Sequence, residues 1–527
     1  MTFPILSITL FLPLVGALVL LLLPRRWLWV IRVIGILFAL ASLVLTFYVW
    51  WLAGGSSWSS LLSGESLSTM QLVEDRSWIP SLDLRYTLGV DGLSAPMVAL
   101  SGLLTALALF YSAFTVEKRV KEYYVLFLVL LTGVLGVFLS LDLILFYVFW
   151  EVGLVPMFLL IGIWGGPRRE YAAIKFFLYT LAGSVFGLLG ILAVHQETGT
   201  FNMLDAAAAR PFLSNPTWAT VVFWALFVAF AIKMPVFPFH TWLPDAHTEA
   251  PTSGSVLLAG IMLKLGSYGM MRIAFPLFPE RFYHFSVEVP VITVMALMSI
   301  VYGAIVCLAQ WDLKRLVAYS SVAHMGYVTL GLAAAAAAWP LGPGSSSGAG
   351  WPSASVFNAA AWSLTGAALQ QFSHGVVTGA MFFLVGMLYE RAHTRDLKAF
   401  GGLASVMPHY YGLTLVTAFA SLGLPGLIGF WSELFVFRGT IHLLPVVAFL
   451  GIVGIVFTAG YVLWKIVQFL FLGTLDQQRW GTLRDLAWWE KVTVWPLAVL
   501  MVVLGVYPAP LIDTFSAALA ALLHGLS

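Results

Sequence analysis

Lys233, in Ala231-Ile232-Lys233-Met234-Pro235, and Lys264, in Met262-Leu263-Lys264-Leu265-Gly266, each interrupt a long apolar stretch with an ionisable group. A charge near the centre of a bilayer costs at least ~2.5 kcal/mol on insertion scales, so such residues point to function. Four others share the pattern: Glu151, His324, His374 and Glu433. A helix rises about 1.5 Å per residue. Counting from the expected span ends places Glu151, Lys264 and His324 about 15 Å deep, with Lys233 slightly deeper and His374 near the middle of its segment. Glu433 follows a Pro-Gly break. Read singly, a buried His is a core residue bonded to a carbonyl, and Glu151 with Lys233 is a structural ion pair. Two carboxylates, two lysines and two histidines at one depth instead suggest a proton relay. In it, movement of Glu151 relative to Lys233 switches the proton affinity of the lysine.

The elements that must hold these groups are transmembrane helices. Hydrophobic residues make up 61% of the 527 positions and charged ones 9%, which excludes a soluble globular domain. About 20 apolar residues cross the hydrocarbon, and the chain divides into roughly fourteen stretches, near 4–23, 29–52, 88–114, 123–140, 141–164, 172–194, 219–240, 253–274, 289–309, 313–335, 356–390, 408–438, 443–473 and 491–515. The expectation is an all-α polytopic protein forming one integral-membrane domain, 1–527. Basic clusters fall in alternate connections: Arg25-Arg26, Lys118-Arg119-Lys121, Arg168-Arg169, Lys314-Arg315, Arg391-Arg395-Lys398 and Arg479-Arg484-Lys491. Arg76, Arg85, Arg210, Arg272, Arg281 and Arg438 are scattered over the others. The positive-inside rule puts the first set in the cytoplasm and both termini outside.

Two stretches are broken by Pro or Gly beside a charge: 233–240 and 424–433. Proline frees a carbonyl that needs another partner, and paired broken helices point to a midplane site between repeats. The long connection 51–87 is expected to form a turn or interfacial patch, and 333–355 a low-complexity linker. His240, Asp245, His247 and Glu249 are metal-ligand types, but their spacing fits no standard zinc or di-metal pattern, so proton collection or helix capping is expected there. Lys465, about eight residues from a span end, is within snorkelling reach and is left out of the relay. Net charge of +2 marks no nucleic-acid surface. Cys307 is the sole cysteine, which excludes an internal disulfide and an iron–sulfur cluster held by this chain alone.

Taken together, FWEVGLVPM (149–157), AIKMPVFPFHTWLPDAHTEAPT (231–252), LLAGIMLKLGSYG (257–269), DLKRLVAYSSVAHMGYV (312–328), FSHG (372–375) and LPGLIGFWSELF (424–435) resemble the antiporter-like subunits of NADH-quinone oxidoreductase, respiratory complex I. The resemblance runs from GVDGLS (89–94) to Glu433 or beyond. It is nearest to the M-type subunit, because sister subunits and multisubunit Na+/H+ antiporters more often carry lysine where Glu433 stands. It implies fourteen helices with two inverted five-helix repeats, about 115–275 and 285–475, and proton pumping through Glu151, Lys233, Lys264, His324, His374 and Glu433. It also implies no cofactor, redox centre or metal on this chain, with flavin, iron–sulfur clusters and quinone on partner subunits. The partners implied are other membrane-arm subunits, sister antiporter-like chains among them, with lipids and protons, in a bacterial cell (inner/plasma) membrane. Alternatives are a subunit of a Na+/H+ antiporter or membrane-bound hydrogenase, a stand-alone secondary transporter, and an inert scaffold.

Overall fold

The computed structural model describes residues 3–55, 65–339 and 353–525. Among them, thirteen helices are long and apolar enough to cross a membrane, as a multi-pass membrane protein requires. In chain order α1 (Ile5–Leu22), α2 (Leu28–Ala53), α3 (Ala95–Thr115), α4 (Val120–Leu139), α5 (Leu143–Trp164) and α6 (Arg169–Thr198) precede the first broken span. That span is α7 (Pro216–Lys233) followed by the short α8 (Trp242–Glu249). Next come α9 (Thr252–Leu277), α10 (Val291–Ala309), α11 (Leu313–Ala337) and α12 (Ala354–Ala392). The stretch expected at 408–438 is two half-length helices, α13 (Pro408–Leu422) and α14 (Ile428–Leu443), neither long enough alone. With that pair counted as one crossing, the fourteen expected crossings are accounted for. The chain ends with α15 (Pro445–Phe471), α16 (Trp488–Val506) and α17 (Ala509–Gly525).

Several boundaries differ from expectation. The stretch 88–114 begins as a strand: β1 (Gln71–Ile79) and β2 (Leu84–Val90) form an antiparallel hairpin, pinned by Arg85 bonded to Asp75 at 2.9 and 2.5 Å. Hydrophobicity alone does not separate a short apolar strand from the first turns of a helix. The expected span 491–515 divides at Tyr507-Pro508, and α17 packs on α12 and the segment before β1. The alanine run at the start of the expected linker continues α11 to Ala337, alanine being the best helix former. Residues 340–352 of that linker lie outside the described residues.

Capping residues fix where two key helices begin. Asp142 accepts hydrogen bonds from Ile144 N and Leu145 N at the start of α5, and Asp312 from Lys314 N and Arg315 N at the start of α11. Each cap also joins a two-residue ladder. Leu143 N bonds Phe201 O and Met203 N bonds Leu141 O; likewise Leu313 N bonds Arg395 O and Leu397 N bonds Trp311 O. The same device therefore recurs five crossings later, on the opposite face.

Polar groups concentrate where neighbouring helices shelter them. The apolar windows of α9, α11 and α12 are 100%, 94% and 94% buried, so the ionisable residues on these three avoid lipid. The outer rows, such as Leu178, Val185 and Leu189 on α6 and Phe449, Val453 and Val456 on α15, are exposed and apolar, as a lipid-facing surface demands.

Candidate functional site, a transverse polar axis

Lys233 is the last residue of α7, held where the helix breaks. The groups freed by Pro235 and Pro238 find new partners: Val236 N bonds Ala231 O at 3.0 Å, Trp242 Nε1 bonds Ile232 O at 2.9 Å, and Phe237 N bonds Ser299 Oγ at 2.9 Å. The break thus carries no backbone penalty at these groups, while its side chain does. Lys233 is 2% exposed, its Nζ has no hydrogen-bond partner among the described residues, and it lies 5.2 Å from the Trp150 ring centre and 5.9 Å from that of Phe176. Glu151 is not its ion-pair partner here; its carboxylate accepts a short hydrogen bond from Ser184 Oγ on α6. The two residues expected to pair are therefore separated in this state.

Lys264 sits in a helix with π-helical turns at Leu258–Met262 and Met270–Ala274 on either side. A π turn releases a carbonyl from the regular ladder, and Lys264 Nζ takes that of Ala259. Its second bond, 2.6 Å long, goes to His374 Nδ1 on α12. This contact depends on close approach of two backbones: a Cβ on Gly375 would lie 2.7 Å from Gly260 O. Glycine at 375 lets α9 and α12 touch beside the lysine, while a Cβ on Gly260 would meet Leu104 of α3 instead.

From His374 the string continues. Its ring centre lies 5.5 Å from that of His324 on α11. His324 Nε2 bonds Ser421 Oγ at 3.0 Å and its Nδ1 bonds Gln370 Nε2 at 3.0 Å. Gln370 Oε1 accepts from Ser432, which lies 3.2 Å from Ser373 Oγ. A cavity of about 10 Å³, room for about one water molecule, is lined by His324, His374, Ser373, Ser421 and Glu433 among others. Glu433 is 7% exposed and makes no hydrogen bond or ion pair among the described residues. Its carboxylate rests against Gly423, where φ is +76° and a Cβ would come within 2.5 Å of Oε2. Glycine at that position serves both the turn ending α13 and the space the carboxylate occupies.

Four of the six predicted residues, Lys264, His374, His324 and Glu433, thus form one contiguous group, while Lys233 and Glu151 stand at its approach without touching each other. His247, which the sequence places among residues expected to collect protons or cap a helix rather than in the relay, belongs beside them. It is wholly buried, stacked on Phe382 at 4.7 Å with both ring nitrogens unpartnered among the described residues, and lies within electrostatic reach of Lys264, Lys314 and His374. Residues 242–249 form a short second half-helix after the break, and tertiary packing against α12 buries His247. The other metal-ligand types nearby disperse: Asp245 pairs with Lys175 at 2.6 Å, and Glu249 accepts from Arg168 N at 2.9 Å. The segment is moored through three carbonyls, Thr248 O to Arg395 at 2.7 Å, Glu249 O to Gly166 N at 2.8 Å, and Ala250 O to Lys314.

Two residues set aside by position prove to be interior. Arg272, expected in a connection, is 7% exposed and forks onto Asp91 at 2.6 and 2.5 Å, an ion pair joining α9 to the start of α3. Lys465, expected to snorkel, is 1% exposed and lies against the rings of Trp311, Trp464 and Phe469. Cation–π contact there takes the place of water.

Fold and site together define an antiporter-like membrane subunit, a helical multi-pass chain built around a buried polar axis. The chain belongs to the NADH:quinone oxidoreductase/Mrp antiporter membrane family, whose model matches residues 140–341 and 344–458. It is similar to NADH-quinone oxidoreductase subunit M of Rickettsia conorii, with 39% identity over 97% of each chain, and to that of Rhodobacter capsulatus, with 42% identity over 86% of this chain and 85% of the relative. Among solved structures it matches a chain of respiratory complex I from Thermus thermophilus with bound NADH at a TM-score of 0.81 and 30% identity, covering 98% of this chain and 99% of that one. A chain of the Mrp complex from Dietzia shares the fold, with a TM-score of 0.76 at 22% identity, over 98% of this chain and 51% of that one.

Proposed function

We propose that this chain is a proton-translocating membrane-arm subunit of an NADH:quinone oxidoreductase. The observation that carries the reading is the string in which Lys264 bonds His374 and the His374 ring lies 5.5 Å from that of His324, both histidines opening on the cavity of Glu433. Each member exchanges a proton with a neighbour or with one water, and all are shielded from lipid. Lys233 receives a proton from the cytoplasm when Glu151 swings from Ser184 toward it, and surrenders it toward Lys264 when Glu151 withdraws. The separated arrangement is the second of these states. The proton leaves by His374 and His324 to Glu433 and the outer side.

Moving one charge against 100 mV requires about 2.3 kcal/mol, so the driving force is supplied by partners that bias the two states of Glu151 and Lys233. Those partners are other membrane-arm subunits and sister antiporter-like chains, with flavin, iron–sulfur clusters and quinone held elsewhere in the assembly. Two inverted repeats, about 115–275 and 285–475, are supported by the Asp142 and Asp312 devices on opposite faces and by one broken span in each half. The basic clusters in alternate connections support a bacterial cell membrane orientation with both termini outside.

The test is proton pumping and quinone reduction in membrane vesicles carrying Lys233→Ala, Lys264→Ala or Glu433→Ala in the whole complex. Each is expected to abolish or strongly reduce pumping. Undiminished pumping in all three overturns the relay.

A further inference from the structure

A second cavity of about 10 Å³ lies beside the first, and Val377, Thr378 and Ser421 line both. Its other walls descend toward one face of the membrane. Ser320 lies one helical turn from His324 in the direction of Lys314, and Leu316 one turn further. Tyr461 and Ile466 face them from α15. This is the face of Lys314, Arg395 and Lys398, which the charge pattern assigns to the cytoplasm.

Tyr461 makes the cavity more than a packing defect. The residue is 1% exposed and, among the described residues, its hydroxyl makes no hydrogen bond of regular geometry, although Ser320 and Ser421 lie close enough to interact with it. A buried hydroxyl is seldom left unpaired, since its lost hydration is not recovered. The cavity has room for about one water, and Ser320, Ser421 and Thr378 supply the further polar partners such a water needs. The backbone marks the same place, because α15 changes to π-helical geometry at Tyr461, a deviation that concentrates at functional sites.

We propose that this cavity is a second inlet to the polar axis, reloading His324 from the cytoplasmic face after the proton delivered through Lys264 has moved on to Glu433, so that each turnover needs both inlets. The route is Tyr461 hydroxyl, cavity water, Ser421 Oγ and His324 Nε2, the last two in contact at 3.0 Å; Nε2 accepts the proton when the ring carries its own on Nδ1, donated to Oε1 of a turned Gln370 amide. At each hydroxyl one O–H bond breaks toward the next acceptor as another forms from the preceding donor, so Tyr461 and Ser421 end unchanged. Leu316 and Ile466 form an apolar plug at the cytoplasmic end. The inference rests on the proton-translocating reading above.

The test uses the whole complex in inside-out vesicles, with assembly checked by the amount of complex in the membrane. Tyr461→Phe keeps the ring and removes the hydroxyl; it should slow pumping roughly tenfold, the effect of one lost hydrogen bond in the path, and change the solvent deuterium isotope effect. If Tyr461→Phe does not assemble, Ser320→Ala carries the same expectation. Ser320→Cys should make pumping sensitive to silver ion, a probe of about the size of water, added on the cytoplasmic face, relative to the unsubstituted complex. Wild-type pumping in Tyr461→Phe and Ser320→Ala, or silver sensitivity only from the outer face, overturns the inlet. If Lys264→Ala abolishes pumping in the same series, the relay survives that result; if Lys264→Ala also pumps normally, the relay itself falls.

Discussion

Gly375→Ala tests whether the axis works by contact. The added Cβ would lie 2.7 Å from Gly260 O and 2.6 Å from Leu100 Cδ2. Leu100 can turn aside, but the carbonyl of Gly260 belongs to the backbone of α9. Restoring an ordinary carbon–oxygen separation of about 3.4 Å moves the two helices apart by about 0.7 Å. The Lys264 to His374 bond, now 2.6 Å, stretches by a similar amount to about 3.3 Å, beyond the usual range for this bond type. Misplacement on that scale costs roughly ten- to a hundredfold in a positioned reaction, while overpacking by one methyl costs about 1–3 kcal/mol of stability. Gly379→Ala is the control one turn away, because its Cβ meets first the flexible end of Leu104, at 3.1 Å. Both variants are assembled into the complex, and proton pumping is followed in inside-out vesicles alongside quinone reduction. Gly375→Ala should lose at least nine-tenths of its pumping, and Gly379→Ala little. Equal pumping in the two variants refutes the claim that backbone proximity of α9 and α12 sets the rate.

Arg272→Ala strands the Asp91 carboxylate in the interior and is expected to cost about 3–5 kcal/mol. Thermal unfolding of the purified complex would show this, and Arg272→Met with Asp91→Leu should recover much of the loss. Asp142→Ala removes a helix cap worth about 1 kcal/mol, seen as a lower unfolding temperature with the polar axis intact. Asp485 lies in the connection between α15 and α16. Burial disfavours its charge, but hydrogen bonds from His409 N, Leu486 N, the His409 ring and Tyr410 N outweigh this and hold its carboxyl below the ordinary range. A lowered folded value means that the stabilisation is present above the unfolded pKa, about 3.9, and is lost as pH falls through the folded value. Asp485→Asn should therefore lower thermal stability at neutral pH and converge with wild type in acid; a constant difference across that range contradicts the assignment.

Much of this protein was legible from the chain alone, because lipid imposes one-dimensional rules. Each crossing needs a long apolar run, and each ionisable residue within such a run stands out against it. Helix count and the two breaks could be read by counting. The strand of β2 and the turn dividing α16 from α17 were less visible, since an apolar segment does not announce its geometry. What counting along one helix cannot supply is azimuth, the direction in which a side chain points relative to neighbours far away in the chain. Arg272 looks like a connecting residue until Asp91 is seen across from it, and Lys465 looks solvated until Trp311 covers it. Position along each helix thus came from composition and the apolar pattern, whereas the turning of Glu151 onto Ser184, the Lys264 to His374 bond and the burial of His247 were decided by how the helices pack. Packing depends on long-range backbone contacts, such as that between Gly260 and Gly375, which no local pattern encodes.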